Sequence, residues 1–278
     1  MTELQDEAIP KGSIPPVLAQ AWGLTESAQR GPKPELSLVA IVDTSVRVAD
    51  SEGLEAVTMA RIAKELGFTT MSLYRHVASK DDLLQLMNDA AADIPIPTEA
   101  ESRGLTWRDT LTAWTREGRR HYLRHPWKLQ IPVGGVPSMP NTVRVADWAL
   151  RGMRDLPITD GERISLLLTL SALASSFARL DVELHRAVET YGADEVVGAG
   201  FDTALAHLIT KEQFPDLSRL IVAGAYFGGG AEDFANEPPD EIAEEDGASP
   251  MILEFEYALS LVLDGLESMI ARAESDRE

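Results

Sequence analysis

Residues 58 to 80 read Thr58-Met59-Ala60-Arg61-Ile62-Ala63-Lys64-Glu65-Leu66-Gly67-Phe68-Thr69-Thr70-Met71-Ser72-Leu73-Tyr74-Arg75-His76-Val77-Ala78-Ser79-Lys80, two short helical patterns that meet at a glycine. Thr58 is of the residue type that caps a helix N-terminus by accepting a backbone N–H bond. Behind it Met59, Ile62, Ala63 and Leu66 fall on one face of a 3.6-residue period, and Arg61, Lys64 and Glu65 fall elsewhere. Gly67 stands where the first helix must end in a left-handed conformation, which costs glycine no Cβ clash. Thr69 or Thr70 caps the second helix, which carries Leu73 and Val77 inward and leaves Thr70, Met71, Ser72, Tyr74, Arg75 and His76 on or near its outer side. That outer face suits a DNA major groove. The Arg75 guanidinium can bond guanine O6 and N7, hydroxyls serve base edges or phosphates, and Met71 can meet a thymine methyl. Tyr74, His76 and Lys80 read as phosphate contacts, which fix register without reading sequence.

Any helical hairpin with a glycine turn shares this spacing, so the flanks carry the decision. Upstream, Leu38, Ile41, Val42, Val46 and Ala49 form a helical stripe that ends at Ser51-Glu52-Gly53 and supplies a third helix. Downstream, Ser79-Lys80-Asp81-Asp82 is a cap with acidic first-turn residues, followed by Leu83, Leu84, Leu86 and Met87. Four helices in about fifty residues make a compact helix-turn-helix unit.

Residues 37 to 91 resemble the N-terminal domain of the TetR/AcrR family of bacterial transcriptional regulators. The likeness rests on the run from Ala49 to Phe68, on Leu73-Tyr74-Arg75-His76-Val77, and on Lys80-Asp81-Asp82-Leu83-Leu84. The family's recognition helix ends in Leu-Tyr-x-(His or Tyr)-Phe/Val, places that Leu73, Tyr74, His76 and Val77 fill. The resemblance implies that Thr58 is both cap and phosphate contact and that Lys80 is the lysine that bonds phosphate at the start of the next helix. Where the tetracycline repressor carries a base-reading arginine on the first helix of the motif, this chain has Ala60. A different operator is therefore expected, with Arg61 as a further candidate contact facing another direction.

The chain has 278 residues, 44% of them apolar, and no cysteine, which excludes disulfides and thiolate metal sites. It shows no stretch of about eighteen uninterrupted apolar residues and no N-terminal signal pattern, so a cytoplasmic protein without membrane contact is expected. The net charge of −20 runs against DNA binding, which draws on phosphate neutralisation. Its distribution resolves the conflict: −3 over residues 1–29, −2 over 30–92 and −15 over 93–278, whereas the span from Arg61 to Lys80 holds four basic residues against Glu65 alone.

Three parts are expected. Residues 1–35, with Pro10, Pro15, Pro16, Pro32 and Pro34, read as a flexible arm with one short helix from Pro16 to Trp22. The basic stretch Arg30-Gly31-Pro32-Lys33-Pro34 is open to two readings, a minor-groove contact or a solvated linker. Residues 36–92 form the DNA-binding domain. After the break at Asp93-Ile94-Pro95-Ile96-Pro97, residues 93–278 form a helical effector-binding and dimerisation domain, with residues 228–250, rich in Gly, Pro, Asp and Glu, as a disordered loop. The fold class is all-α.

In that half the segment from Asp160 to Tyr191 carries two stripes. One holds Ile164, Leu168, Ser171, Ser175, Ala178, Val182 and His185; the other holds Leu166, Leu170, Leu173, Phe177, Leu180 and Leu184. The last helix has a matching seam of Ile252, Phe255, Leu259, Val262, Leu266 and Met269. Leu168, Ser171, Ser175, Ala178, Val182, Phe255, Leu259, Val262, Leu266 and Met269 are therefore expected at a homodimer interface, the alternative being intramolecular core. Trp107, Trp114, Trp127 and Trp148 cluster within residues 105–150, and with His121, Arg144, Phe177 and Asp181 they suggest an effector pocket of aromatic walls and few polar groups. Taken singly, each tryptophan suits an ordinary core. Arg124-His125-Pro126-Trp127, Pro140-Asn141, Phe214-Pro215 and Glu254-Phe255-Glu256-Tyr257-Ala258-Leu259 resemble the tetracycline-repressor-like C-terminal domain, which implies an effector site without naming the effector.

His121 and His125 stand i, i+4, half of a metal site, but no third ligand has a suitable spacing, and no metal or cofactor is expected. The sequence holds no GxxxxGK[ST], GxSxG or HExxH, so no enzyme is expected. The reading is a dimeric repressor released from a palindromic DNA operator by a small-molecule effector. An activator of the same fold stays open, as does a small-molecule binding protein or helical enzyme that has lost DNA recognition.

Overall fold

The computed structural model describes residues 13–24, 36–132, 137–192, 207–223 and 251–275. The fold is all-α, with no strand among the described residues. Helices α1 (Pro16–Ala21), α2 (Leu38–Glu52), α3 (Met59–Leu66), α4 (Thr70–Tyr74) and α5 (Lys80–Ala90) are followed by α6 (Trp107–Arg124), α7 (Pro140–Gly152), α8 (Asp160–Tyr191), α9 (Pro215–Val222) and α10 (Ile252–Ser275). Short 3-10 turns occupy Leu54–Ala56 and Pro126–Gln130. Contacts divide the chain into two compact units, Met1–Leu105 with Arg124–Gly152, and Thr106–Leu123 with Met153–Glu278. The expected disordered loop at 228–250 lies outside the described residues.

The first unit is built around the inner faces of α2 to α5. Ile41, Ile62, Leu73, Leu83 and Met87 are fully buried there, each contributing about 1.5–3 kcal/mol by leaving water. Residues 124–152, which sequence patterning places in the second domain, pack with this unit. Trp127 enters its core and donates Nε1–H to Asp50 of α2 at 2.6 Å, and His125 Nδ1 lies 2.7 Å from the same carboxylate. The Lys128 ammonium donates to the Asn88 carbonyl at 2.8 Å. Asp89 Oδ1 accepts the amides of Asn141 and Thr142, both at 3.0 Å, and so caps α7 from the end of α5. Arg144 bonds Asp93 and the Ile94 carbonyl, while Arg151 donates to the Pro97 carbonyl, pegging the proline-rich segment along α7.

Residues 13–24, expected within a flexible arm, are held in this unit. Six residues cannot sustain a helix alone. α1 exists because Val17 is buried in the common core, with Leu18 and Ala21 packed against it.

In the second unit α8 runs for 32 residues from a capping box in which Thr159 and Glu162 exchange backbone and side-chain bonds. Its length and composition would allow it to cross a bilayer, a property shared by core helices of soluble proteins. Here Leu167, Leu170, Ala174, Ala178 and Asp181 form the face buried within the protomer. α10 packs antiparallel to both α8 and α6: Arg108 pairs with Asp264 and Glu267 near one end, and Arg116 forms a fork with Glu256 at 2.7–2.8 Å nearer the other.

Two stripes of α8 and α10 were expected to meet a second copy, and the structure corrects part of that assignment. Ala178, Phe255, Leu259 and Leu266 are at most 4% exposed and lie inside the protomer, because they are the residues through which these helices pack intramolecularly. Ser171, Ser175, Val182 and Val262 are half-buried. Leu168 and Met269 remain exposed, joined by Ile164, Leu180, Tyr257 and Leu261.

Candidate functional site

The helix-turn-helix is assembled by local signals that all appear in its sequence. Thr58 Oγ1 accepts the Arg61 amide at 3.1 Å and opens α3. At the other end Gly67 adopts φ 76°, and the Phe68 amide reaches back to the Ala63 carbonyl while the Gly67 amide reaches Lys64, the paired bonds of a Schellman stop. Thr69, not Thr70, caps α4, accepting the Ser72 amide at 3.3 Å. Ser79 accepts the Asp82 amide at 3.0 Å and opens α5, with Lys80 exposed at its first position.

Leu73 and Val77 are buried to 0% and 1%, which fixes the roll of α4. The opposite side then projects to solvent: Met71 is 71% exposed and Tyr74 46%, Arg75 is exposed, and Thr70, Ser72 and His76 are partly exposed. The residues expected to read bases and phosphates are therefore exposed or partly exposed, and Thr58 and Lys80 are exposed at the starts of the neighbouring helices.

Arg61 differs from its expected role. Its guanidinium bonds Glu65 at 2.5 Å and Glu52 of α2 at 2.7 Å, so it braces α3 against α2. The Glu65 and Glu52 hydrogen bonds hold its proton more tightly than usual, and the same contact keeps the Glu65 carboxyl below its ordinary range. A phosphate would have to displace two carboxylates to reach it. Glu52 is the partner that sequence patterning missed, since it lies nine residues away across a turn.

The eight residues expected around an effector do not form one cluster. Trp127 and Trp148 are buried in the first unit, and Arg144 is engaged there with Asp93. Trp148 and Arg144 line an open cleft of about 450 Å³ with residues 94–98, Asp147 and Arg151. In the second unit Trp107 is half-buried beside Arg108, Trp114 and His121 are buried on α6, and Phe177 and Asp181 face α10 from α8.

The centre of that second group is a residue sequence reading passed over. Arg119 is fully buried and pairs with the equally buried Asp181, whose other oxygen accepts the Met251 amide at 3.2 Å. The Arg119 guanidinium carbon lies 5.1 Å from the Phe255 ring centroid, and Phe177 meets Phe255 edge-on at 5.8 Å. Arg119 follows Leu111 and Thr115 at intervals of four, so the stripe that buries it was legible. This joins α6, α8 and α10 through a buried ion pair and aromatic surface.

Among the described residues no group of three His, Asp or Glu is placed to hold a metal ion.

An exposed recognition helix on a compact four-helix unit, followed by a separate helical unit, defines a helix-turn-helix DNA-binding protein with a second helical domain. Comparison with known proteins narrows the class. Residues 41–87 match the model of bacterial regulatory proteins of the tetR family, and residues 100–236 match the tetracyclin repressor-like C-terminal domain. The HTH-type transcriptional repressor DrrR1 of Streptomyces coeruleorubidus is 32% identical over 265 residues, 94% of this chain and 88% of that protein. The class E tetracycline repressor protein of Escherichia coli is 27% identical over 142 residues, 49% of this chain and 64% of its own. Among solved structures, Streptomyces coelicolor ActR in complex with actinorhodin superposes with a TM-score of 0.63 at 23% identity, over 87% of this chain and 100% of that one. The chain belongs to the TetR family of bacterial transcriptional regulators. Its relatives regulate transcription and are not enzymes.

Proposed function

We propose that the protein is a cytoplasmic, homodimeric repressor that binds a palindromic DNA operator through α4 and leaves it when a small molecule occupies the second unit. The observation that carries this is the surface of α4: with Leu73 and Val77 locked in the core, Met71, Tyr74 and Arg75 project to solvent from the opposite side, with Ser72 partly exposed beside them. Arg75 is the base reader, Met71 the thymine contact, and Tyr74, His76, Thr58 and Lys80 the phosphate clamps that set register. Repression is supported by the DrrR1 relative, which is named as a repressor and matches nearly the whole chain.

Two such helices must address two half-sites, so the unit of function is a dimer. The exposed apolar residues of α8 and α10, Leu168 and Met269 with Ile164, Leu180, Tyr257 and Leu261, supply its surface. The effector site is assigned to the α6–α8–α10 cluster around Arg119, Asp181, Phe177 and Phe255, with Trp114 and His121 on the same helix as Arg119. ActR, which shares the fold, has been solved with actinorhodin bound. An effector that binds only one arrangement of the second unit shifts the population toward it, and coupling to operator affinity is reciprocal. A gel shift with DNA upstream of the protein's own gene tests the assignment: retarded DNA that random duplex cannot compete supports it, and equal competition by random duplex removes it.

A further inference from the structure

α1 is more than a decoration on the DNA-binding unit, because Gln20 within it and Trp22 at its C-cap reach two different loops. Gln20 Nε2 donates to the His76 carbonyl at 2.8 Å, immediately past the recognition helix. Trp22 Nε1 donates to the Ser138 carbonyl at 2.8 Å, two residues before α7. The sequence builds this element deliberately: Pro16 starts it with a preset φ, and Gly23 stops it at φ 67°. The Leu24 amide then returns to Ala19 and the Gly23 amide to Gln20, which fixes where Trp22 projects. Val17, 6% exposed, seats the helix in the same core as Leu73, Val77 and Met139, and the helix lies along α5.

The His76 carbonyl sits at the exit of a helix only five residues long, so the orientation of α4 depends on what holds its two ends. Thr69 holds the first end. We propose that α1 is a strut that holds the second, with Gln20 and Trp22 as positioning residues that lock the exit of the recognition helix to the segment leading into α7. The proposal rests on the DNA-binding reading of α4 for its functional consequence, and it deepens that reading by making residues outside the helix-turn-helix determinants of operator affinity. It also gives movements of residues 138–140 a direct path to the recognition helix.

The test uses the full chain with Gln20→Ala, Gln20→Glu, which keeps the size and loses the donor, and Trp22→Phe. Two quantities are read: amide hydrogen exchange over residues 72–78 without DNA, and affinity for upstream against random duplex over a salt series. The strut predicts faster exchange at 72–78 in both Gln20 variants. It also predicts upstream DNA bound about two- to ten-fold more weakly, the effect of one lost hydrogen bond. Trp22→Phe should weaken binding in the same direction. Because no phosphate contact is removed, the salt dependence should be unchanged and the ratio of upstream to random affinity should fall. Wild-type exchange in both Gln20 variants, or wild-type upstream affinity in both, overturns the proposal. If the wild type itself does not prefer upstream DNA, the operator reading fails, and the exchange result alone then decides whether α1 holds α4.

Discussion

Arg61 and Arg75 stand fourteen positions apart in the same basic stretch, and their surroundings are opposite. Arg75 ends α4 in the open, whereas Arg61 is held by Glu52 and Glu65. Arg75→Ala should therefore cost about 1–3 kcal/mol on the operator and relax selectivity at one base position. A binding titration on operator and random duplex checks this, and equal loss on both would contradict a base-reading role. Lys80→Ala should weaken binding on every sequence and lower the slope of log affinity against log salt by about one. Arg61→Met should leave that slope as it is, since its charge already faces carboxylates; a slope reduced as in the lysine variant would return Arg61 to the phosphate contacts.

At the scale of elements, the 3-10 turn at Pro126–Gln130 carries a buried charge with a measurable signature. Burial lowers the Lys128 ammonium from 10.5 to about 7, opposed only in part by Asp89 nearby. Between pH 7 and 10.5 the unfolded chain binds a proton that the folded one does not, so stability rises with pH across that window, by at most about 1.4 kcal/mol per unit. Below pH 7 both states are protonated and the full penalty is present. The stability difference between wild type and Lys128→Met should thus climb in favour of wild type from pH 7 to 10, measured by denaturant unfolding; a flat difference would show that the ammonium is solvated.

The elements themselves were largely legible. Caps at Thr58, Thr69 and Ser79 and the stop at Gly67 are local chemistry, so the helix-turn-helix followed from its residues, and the bounds of α8 from Asp160 to Tyr191 followed from its period. What spacing could not decide is which partner an apolar stripe meets: Phe255, Leu259 and Leu266 have the seam expected of a dimer and pack within the protomer. For the same reason four tryptophans close in sequence went to two different units, and although the stripe of Leu111, Thr115 and Arg119 was legible, its spacing could not name Asp181 of α8 as the partner that lets a charge be buried there. α1 was foreseen as a helix, but its docking depends on carbonyls of residues 76 and 138, which no local pattern connects.

For the whole molecule, separation of charge accompanies separation of task. The acidic excess lies beyond residue 92, away in sequence from the basic run of the helix-turn-helix. The proposed dimer would then supply what one short recognition helix cannot, a second half-site at fixed distance. Leu168→Asp, at a position 62% exposed on α8, should leave the protomer folded and yield a monomer by light scattering at micromolar concentration, with operator binding lost in parallel. A dimer that survives this change would move the interface elsewhere. The most direct test of a two-fold DNA reader is the mass and affinity of the complex on the palindrome upstream of its gene, compared with the same palindrome lengthened by about five base pairs, half a helical turn, between half-sites. The account predicts two protomers on the natural palindrome and loss of specific binding on the lengthened one; equal affinity for both, or for random duplex, would contradict it.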